Sequence, residues 1–321
     1  MAGFDVFNGD ADGICALLQL RRQAPRHNRL VTGVKRDIAL LQRLVGEAGS
    51  GDQVTVLDIS LDKNRQALEA LLAQGVEVHY FDHHYAGEIP RHSCLQAHID
   101  TRATVCTSLL VDQWLDGAQA RWAVVGAFGD NLDEPARQRG QALGLTAEYL
   151  EQLRQLGQLL NYNGYGASLD DLHFPPAQLF QRLLPYADPL DFMHQDEAFA
   201  ILRQGFASDT AQARQLRAQL EEPCCAVYIL PDEPWARRVN GVLANELARK
   251  HPQRAHALLT RRPGGYLVSV RAPLARREGA DELCRRFPGG GGRKAAAGIN
   301  HLPEDAYDSF VTAFRQQFQG A

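Results

Sequence analysis

Short apolar runs alternate with amphipathic stretches near the start of the chain. Four runs rich in β-branched or aromatic residues predict strands, at 4–7, 29–34, 54–57 and 76–81. The stretches after the first three have apolar residues at helical spacing and predict helices, at 13–22, about 38–45 and about 63–72. Strands that alternate with helices at this spacing are typical of βαβ units. We therefore expect an α/β fold with a parallel sheet and right-handed crossovers.

The pattern changes twice further along the chain. From 104 to about 183 it is mainly helical, and a proline-free stretch from about 195 to 221 predicts connecting helices before Pro223. Beyond Pro223, the pattern predicts strands at 226–230, 255–259 and 266–271, and helices at 235–249 and about 305–318 with a short one between them. We thus predict a parallel-sheet domain over 1–190, a helical connector over 191–222 and a smaller α/β domain over 223–321.

The composition is that of an ordinary globular protein. With 321 residues, 45% hydrophobic and 22% charged, the chain can bury two cores. The apolar run from Trp122 to Phe128 is far shorter than the roughly 20 residues that cross a bilayer, and no signal segment opens the sequence. We expect a cytoplasmic protein with no membrane partner. The six cysteines show no paired metal-binding spacing, which favours reduced thiols.

Charge is divided unevenly along the chain. The net charge is −4, yet residues 223–321 contain 15 Lys and Arg against 9 Asp and Glu, and the part before them contains 19 against 29. The negative total argues against binding along a long nucleic-acid track. An acidic larger part suits cations and a basic smaller part suits phosphates.

Carboxylates stand where predicted strands end. The positions are Asp10 and Asp12 in Asn8–Gly13, Asp58, Asp82 with His83 and His84, and Asp130 after the apolar run at 122–128. Because parallel strands present their carboxyl ends at one edge of a sheet, the first three groups are expected to lie close together. Oxygen ligands with one or two imidazoles suit Mn²⁺, Mg²⁺ or a dinuclear centre better than a thiolate-rich zinc site.

Other interpretations of these residues stay open. A calcium loop beginning at Asn8 is disfavoured because Gln19 stands where a bidentate glutamate is needed and a strand precedes it. Asp10 and Asp12 could instead cap the helix that begins near Gly13. Taken alone, Asp58 and Asp130 are more often turn or capping residues than ligands.

A glycine run in the basic part predicts an anion site. The residues proposed for it are Gly290, Gly291, Gly292, Arg293 and Lys294, with Arg271 at the end of a predicted strand and Lys35 and Arg36 as further candidates in the first domain. Consecutive glycines let backbone amides approach a phosphate closely. The alternative is a flexible hinge, and a solvated surface explains Lys35 and Arg36 nearly as well. The two tyrosines of 161–166 could stack a base or simply anchor a loop.

These motifs together resemble those of the DHH phosphoesterase superfamily. The matching segments, in order, are Gly9-Asp10-Ala11-Asp12-Gly13, Asp58, Asp82-His83-His84 and Gly129-Asp130. The basic domain resembles the DHH-associated C-terminal domain, whose mark is a glycine run leading to Ala296-Ala297-Gly298. The resemblance covers both ends of the chain and is specific as a set.

The resemblance implies roles for each residue. Asp10 would hold one ion, Asp12, His83 and Asp130 the other, and Asp58 would bridge them. His84 would face the reacting phosphate as an acid or charge stabiliser, and Asp82 would support it or act as a shared ligand. Two Mn²⁺ ions are implied per active site, with Mg²⁺ or Co²⁺ as alternatives.

The sequence departs from the superfamily pattern at two positions. Val6 stands where many members have histidine, which leaves the first ion short of a ligand, so that Asn8 or water replaces it or the site is more weakly occupied. The ion at Asp12, Asp58, His83 and Asp130 is therefore expected to bind more tightly. Arg293 stands where many members have histidine, and its permanent charge favours a firmly anionic substrate.

The expected function is a metal-dependent phosphodiesterase acting on short 5′-phosphorylated oligoribonucleotides, with linear dinucleotides such as pGpG as the first candidates. Within the superfamily, the alternatives are a phosphatase of 3′-phosphoadenosine 5′-phosphate and a single-strand exonuclease, and the negative charge counts against the exonuclease. From another class, a nucleotide-binding regulator with weak catalysis stays open because of Val6, although the retained aspartates disfavour it. The sequence leaves a homodimer open.

Overall fold

The computed structural model describes residues 1–319, which form two compact units that divide between Gly205 and Phe206. Helix Glu197–Ala213 runs across this division. The connector predicted over 191–222 and the domain limits on either side of it stay predictions.

The first unit combines a parallel sheet with helices. Its elements are β1 (Gly3–Phe7), α1 (Ala11–Gln23), β2 (Arg29–Val31), β3 (Gln53–Leu57), α2 (Leu61–Ala73), β4 (Glu77–Asp82), β5 (Leu95–Ile99), α3 (Thr107–Trp114), α4 (Ala120–Gly129), α5 (Asp133–Ala142), α6 (Ala147–Asn163), α7 (Pro176–Leu183), α8 (Pro189–Gln195) and α9 (Glu197–Ala213). All five strands are parallel, in the order β2-β1-β3-β4-β5. The predicted α/β class with a parallel sheet is confirmed.

The strand register sets where the polar residues meet. Phe7 of β1 pairs with Leu57 of β3, which in turn pairs with Phe81 of β4. The residue after each of these apolar positions is Asn8, Asp58 or Asp82, so all three stand at one edge of the sheet. That edge lies at β1 and β3, where the strand order reverses and ligand sites of open α/β sheets form. One core of the unit packs residues such as Val6, Val56, Tyr80 and Leu68.

The first unit differs from the sequence prediction at three elements. The second predicted strand ends at Val31, and the helix predicted at about 38–45 is a short 3₁₀ stretch, Leu40–Leu44. The edge strand β5 was not predicted, although Gln96 and His98 alternate with apolar residues as in a half-buried strand. These differences leave the edge with Asp58 and Asp82 unchanged.

The second unit is a smaller α/β domain. Its elements after α9 are β6 (Leu220–Glu221), β7 (Cys225–Leu230), α10 (Pro234–Lys250), β8 (Ala255–Arg262), β9 (Gly265–Arg271), α11 (Ala280–Cys284), β10 (Gly290–Arg293), β11 (Ala296–Pro303) and α12 (Tyr307–Phe318). The mixed sheet has the order β10-β11-β9-β8-β7-β6, with β7 and β8 parallel and the other pairs antiparallel. Its core includes Val268, Leu283 and Phe310.

None of the helices within residues 1–319 is long and apolar enough to pass through a membrane.

Candidate metal centre

Three aspartates surround the imidazole of His83. Its Nε2 lies 3.3 Å from Asp58 Oδ1, 3.8 Å from Asp130 Oδ2 and 3.9 Å from Asp12 Oδ2. Ligand atoms at about 2.1 Å from an octahedral ion lie about 3 Å apart when adjacent and about 4 Å apart when opposite. Asp12, Asp58 and Asp130 thus each place a carboxylate oxygen near one imidazole nitrogen, and we call these three residues with His83 the His83 cluster. With one ligand atom each, Asp12, His83 and Asp130 lie within 4.8 Å of one another, and so do Asp58, His83 and His84, so each of these two sets could hold a metal ion.

The ring of His83 is oriented by the backbone. Its Nδ1 lies 3.0 Å from the carbonyl oxygen of Val105. Because a carbonyl can only accept, Nδ1 carries the proton and Nε2 keeps its lone pair toward the three carboxylates. A second hydrogen bond of this kind fixes the tautomer of most metal-binding histidines.

The first turn of α3 holds the carboxylate of Asp12. The backbone N–H groups of Thr107 and Ser108 each donate to one Asp12 oxygen at 2.8 Å. The Ser108 hydroxyl also donates to the Asp12 carbonyl at 2.9 Å, and the Thr107 hydroxyl donates to Asp58 Oδ1 at 3.2 Å. A helix start stabilises negative charge, so α3 both favours the carboxylate of Asp12 and fixes its position. Sequence reasoning missed both Thr107 and Ser108.

Nearby positive side chains do not balance the negative charges of Asp58 and Asp130. Burial raises the pKa of Asp58 well above its ordinary value, and the charges of Asp10 and Asp12 raise it further. Burial and the charge of Asp12 raise the pKa of Asp130 to about 6. Asp58 also has a left-handed backbone, with φ of 58°, at the end of β3. An excess of negative charge held in a strained, fixed geometry fits a divalent cation.

His84 forms a hydrogen bond with Asp82 and also lies near Asp58 of the His83 cluster. His84 Nδ1 lies 2.7 Å from Asp82 Oδ1, and 3.9 Å from Asp58 Oδ1. Burial alone would lower the pKa of His84, but the hydrogen bond and charge of Asp82 raise it above its usual value. Asp82 itself is fully buried, whereas the side chain of His84 is 36% exposed. Asp82 thus supports His84, which remains open to solvent on its other side.

Asp10 lies close enough to Asp58 to interact with it, but unlike the His83 cluster it has a lysine partner. Its Oδ1 accepts the N–H groups of Asp12 and Gly13 at 3.1 Å, so Asp10 caps α1, and the capping interpretation is confirmed for this residue. Its Oδ2 accepts from Lys35 Nζ at 2.6 Å. Burial raises the pKa of Asp10, but the charge of Lys35 reverses this and the pKa is lowered.

Lys35 is part of this site. Its Nζ also donates to Asn161 Oδ1 at 2.9 Å and lies 5.4 Å above the ring of Tyr165. Burial favours a lower pKa for Lys35, but the Asp10 carboxylate outweighs it and raises the pKa well above the ordinary value. The segment 161–166, considered above as a base-stacking loop, thus contributes to holding Lys35. Asn161 was missed because its partner lies far away in sequence.

Close backbone packing holds the segment around Gly164 against the turn at Asp10. A Cβ added to Gly164 would lie 3.1 Å from Asp10 Cα, so a larger residue would press on the Asp10 turn. The side chain of Asn8 accepts the Asp10 N–H at 3.3 Å and donates to the Lys35 carbonyl at 3.4 Å. Asn8 therefore shapes the turn at Asp10. Arg36, the other basic candidate here, is exposed.

The basic candidates of the second unit lie on or beside one hairpin. Gly290, Gly291, Gly292 and Arg293 form the edge strand β10, which pairs with β11 on one side, and their role as an anion site stays a prediction. Arg293 and Lys294 are exposed at its turn. Arg271 pairs through its backbone with Ala296 and donates to Asn245 Oδ1 at 2.9 Å. We call Arg293, Lys294 and the strands β10 and β11 the basic hairpin.

Comparison with known proteins gives structural matches alone. No family model matches the chain, and no curated protein matches its sequence. Among solved structures, the DHH domain of a protein described as a member of a family of ribosomal proteins is 14% identical, with a TM-score of 0.68 over 98% of this chain and 86% of the other. Exonuclease RecJ bound to manganese is 18% identical, with a TM-score of 0.62 over 97% and 88%.

A third structure matches over nearly the full length of both chains. It is the pGpG-specific phosphodiesterase PggH from Vibrio cholerae, 14% identical, with a TM-score of 0.56 over 100% of this chain and 99% of the other. These likenesses show that the chain has the fold of DHH-domain proteins. They confirm, at the level of the fold, the resemblance that the motifs indicate.

Proposed function

We propose that the chain is a metal-dependent phosphodiesterase that hydrolyses short 5′-phosphorylated oligoribonucleotides, with linear dinucleotides such as pGpG as its preferred substrates. The observation that carries this proposal is the His83 cluster. Its members come from four separate segments, and the three carboxylate oxygens lie 3.3–3.9 Å from Nε2 of His83. A site of this chemistry supports Mn²⁺ as the bound ion.

The residues of the site have different roles. The His83 cluster would hold the ion, which when bound would neutralise the phosphate and lower the pKa of water. The helix start at Thr107 and Ser108 holds Asp12 in place without a cationic side chain. His84, oriented by Asp82, faces solvent with a raised pKa and is suited to donate a proton or stabilise charge on the phosphate.

Two observations support a short, anionic substrate. The structural match to PggH, a pGpG-specific phosphodiesterase, extends over nearly all of both chains. The second unit is basic, and the basic hairpin presents Arg293 and Lys294 to solvent. We propose that Arg293, Lys294 and Arg271 bind the terminal phosphate, because guanidinium forks onto phosphate oxygens.

A substrate panel tests the proposal. Metal-free protein is supplied with Mn²⁺, and kcat/KM is compared for pGpG, longer 5′-phosphorylated RNA, 3′-phosphoadenosine 5′-phosphate and single-stranded DNA. The highest kcat/KM is expected for pGpG. Higher values for the adenosine bisphosphate or for DNA would instead assign the phosphatase or exonuclease activity. Binding without cleavage of any substrate would contradict an enzyme and favour the regulator.

The same protein preparation supplies two controls. An Asp58→Asn variant purified in parallel reveals any contaminating nuclease, because its expected turnover is near the background. Mg²⁺ and Co²⁺ in place of Mn²⁺ show which ion supports turnover.

A further inference from the structure

We propose that the ammonium group of Lys35 occupies the place that a second ion would take, so that the centre binds one divalent cation at the His83 cluster. This inference rests on the proposed metal-dependent function and concerns the number of ions and the role of one lysine. It departs from the two ions that the motifs imply.

Both oxygens of the Asp10 carboxylate already have partners. One oxygen accepts two backbone N–H groups of α1, and the other accepts the ammonium of Lys35 at 2.6 Å. An ion bound to that second oxygen at about 2.1 Å would collide with Nζ or repel it. Lys35 would have to leave before Asp10 could ligate a metal.

Lys35 is held from several directions. Its backbone N–H donates to the Gly164 carbonyl at 2.8 Å, and its Nζ also donates to Asn161 Oδ1. The ammonium lies over the ring of Tyr165, an arrangement that attracts a cation. The side chains of Lys35 and Asp10 are 23% and 3% exposed. A lysine with this many contacts is held in a fixed position in the site and is not a mobile surface residue.

The remaining acidic groups converge without Asp10. The sets whose ligand atoms gather within 4.8 Å in the first unit are Asp12–His83–Asp130 and Asp58–His83–His84. Both sets share His83, and Asp10 belongs to neither. Val6, on the strand before Asp10, is apolar and fully buried, so β1 offers no nitrogen ligand there. Because Nδ1 of His83 is bonded to the Val105 carbonyl, only its Nε2 can bind an ion, so the two sets compete for it and the described residues favour one cation beside the ammonium of Lys35.

Metal stoichiometry tests the inference without an activity assay. Metal-free protein is dialysed against excess Mn²⁺, and bound manganese per chain is measured by mass spectrometry and by electron paramagnetic resonance. One ion per chain with the spectrum of an isolated Mn²⁺ is expected. Two ions with an exchange-coupled spectrum would overturn the role of Lys35 but leave the proposed function intact. Absence of bound Mn²⁺ would contradict the proposed function itself.

A lysine variant provides the sharper result. In Lys35→Met, which keeps most of the length of the side chain and removes its charge, a second and weaker Mn²⁺ should bind near Asp10. The matched control is Lys63→Met, because Lys63 is 63% exposed and only 3.6 Å from Asp62. It should keep one ion. A Lys35→Met protein that still binds a single ion would overturn the inference.

Asp10→Asn decides the matter if Lys35→Met does not fold, as judged by circular dichroism. Because Asp10 holds no ion in this proposal, the variant should still bind one Mn²⁺, with an affinity within about 3-fold of the original, less than the tenfold that corresponds to 1.4 kcal/mol. A loss of the bound ion or an affinity more than tenfold weaker would show that Asp10 is a ligand and would overturn the proposal.

Discussion

Most carboxylates at the centre of the first unit are buried, whereas the charged groups of the basic hairpin are exposed. The carboxylates of Asp10, Asp12 and Asp58 are at most 3% exposed in their side chains. Arg293 and Lys294 project from a turn into solvent. Charges interact far more strongly where water is excluded. Substitutions in the buried region should therefore act on turnover, and those in the hairpin on substrate affinity.

The largest effect is expected for Asp58→Asn. Removing this charge from the His83 cluster should reduce kcat by roughly 10³-fold, the size seen when a fixed electrostatic contact to a reacting group is lost. The metal-free variant should also be more stable to urea than the original, because burial and then the neighbouring carboxylates disfavour the Asp58 charge. Both quantities are measured on the same preparation.

A matched control is Asp116→Asn. Asp116 also has a positive φ, of 50°, but is exposed and outside the site, so its substitution should change neither kcat nor stability. Equal turnover of the Asp58 variant and the original at saturating Mn²⁺ would refute the role of the buried cluster.

Asp82→Asn should have the next largest effect. The fully buried carboxylate holds His84 at 2.7 Å, and losing such a supporting contact typically reduces activity by about 10- to 100-fold. Manganese stoichiometry should not change, which separates support of His84 from metal binding. His84→Ala should lower kcat similarly, and the double variant should be no worse than either single one. Additive losses would mean that the two side chains act independently.

Arg293→Ala should raise KM for 5′-phosphorylated substrates by about 10-fold and leave kcat nearly unchanged, as expected for one charged hydrogen bond at an exposed site. The effect should vanish for the same dinucleotide without its 5′-phosphate. Arg285→Ala is the matched control, because Arg285 is an exposed arginine of the same unit that pairs with Asp281 at 3.0 Å. A fall in kcat instead would place Arg293 in the chemistry.

The buried region was largely predictable because a parallel sheet has one carboxyl edge. Asp58 and Asp82 follow apolar strands, and strand alternation with helices is visible in the sequence. The partners of the buried groups were not predictable. Thr107 and Ser108 hold Asp12 through backbone N–H groups, which every residue except proline possesses and no side-chain pattern reveals.

Lys35 shows a second limit of the sequence argument. Its position after a predicted strand suggested a substrate contact or a solvated face, but its partners are Asp10 and Asn161. Both contacts depend on how the turn after β1 and the end of α6 pack together. That packing rests on tertiary contacts such as the close approach at Gly164 and cannot be derived from spacing along the chain.

The comparison extends to His256 of the second unit, a buried imidazole without a hydrogen-bond partner. Its substitution should have the smallest effect of these variants at neutral pH. Burial and the positive charges of His251 and Arg254 lower the pKa of His256 to about 4, whereas Asp82 raises the pKa of His84. Neither ring nitrogen of His256 has a hydrogen-bond partner within the described chain. The folded state then binds fewer protons than the unfolded state between pH 6.5 and 4, so stability is full above pH 6.5 and falls as the pH drops toward 4.

At pH 5 this contribution amounts to about 2 kcal/mol. His256→Phe should remove that part of the pH dependence in urea unfolding and leave stability at pH 7.5 nearly unchanged. The exposed His301 of the same unit provides the control variant His301→Phe, which should keep the original profile. The imidazole signal of His256, identified by its loss in the Phe variant, should not titrate above pH 5 in nuclear magnetic resonance spectra. An apparent pKa near 6.5 would show that water or a partner reaches this ring, and the contrast with His84 would fail.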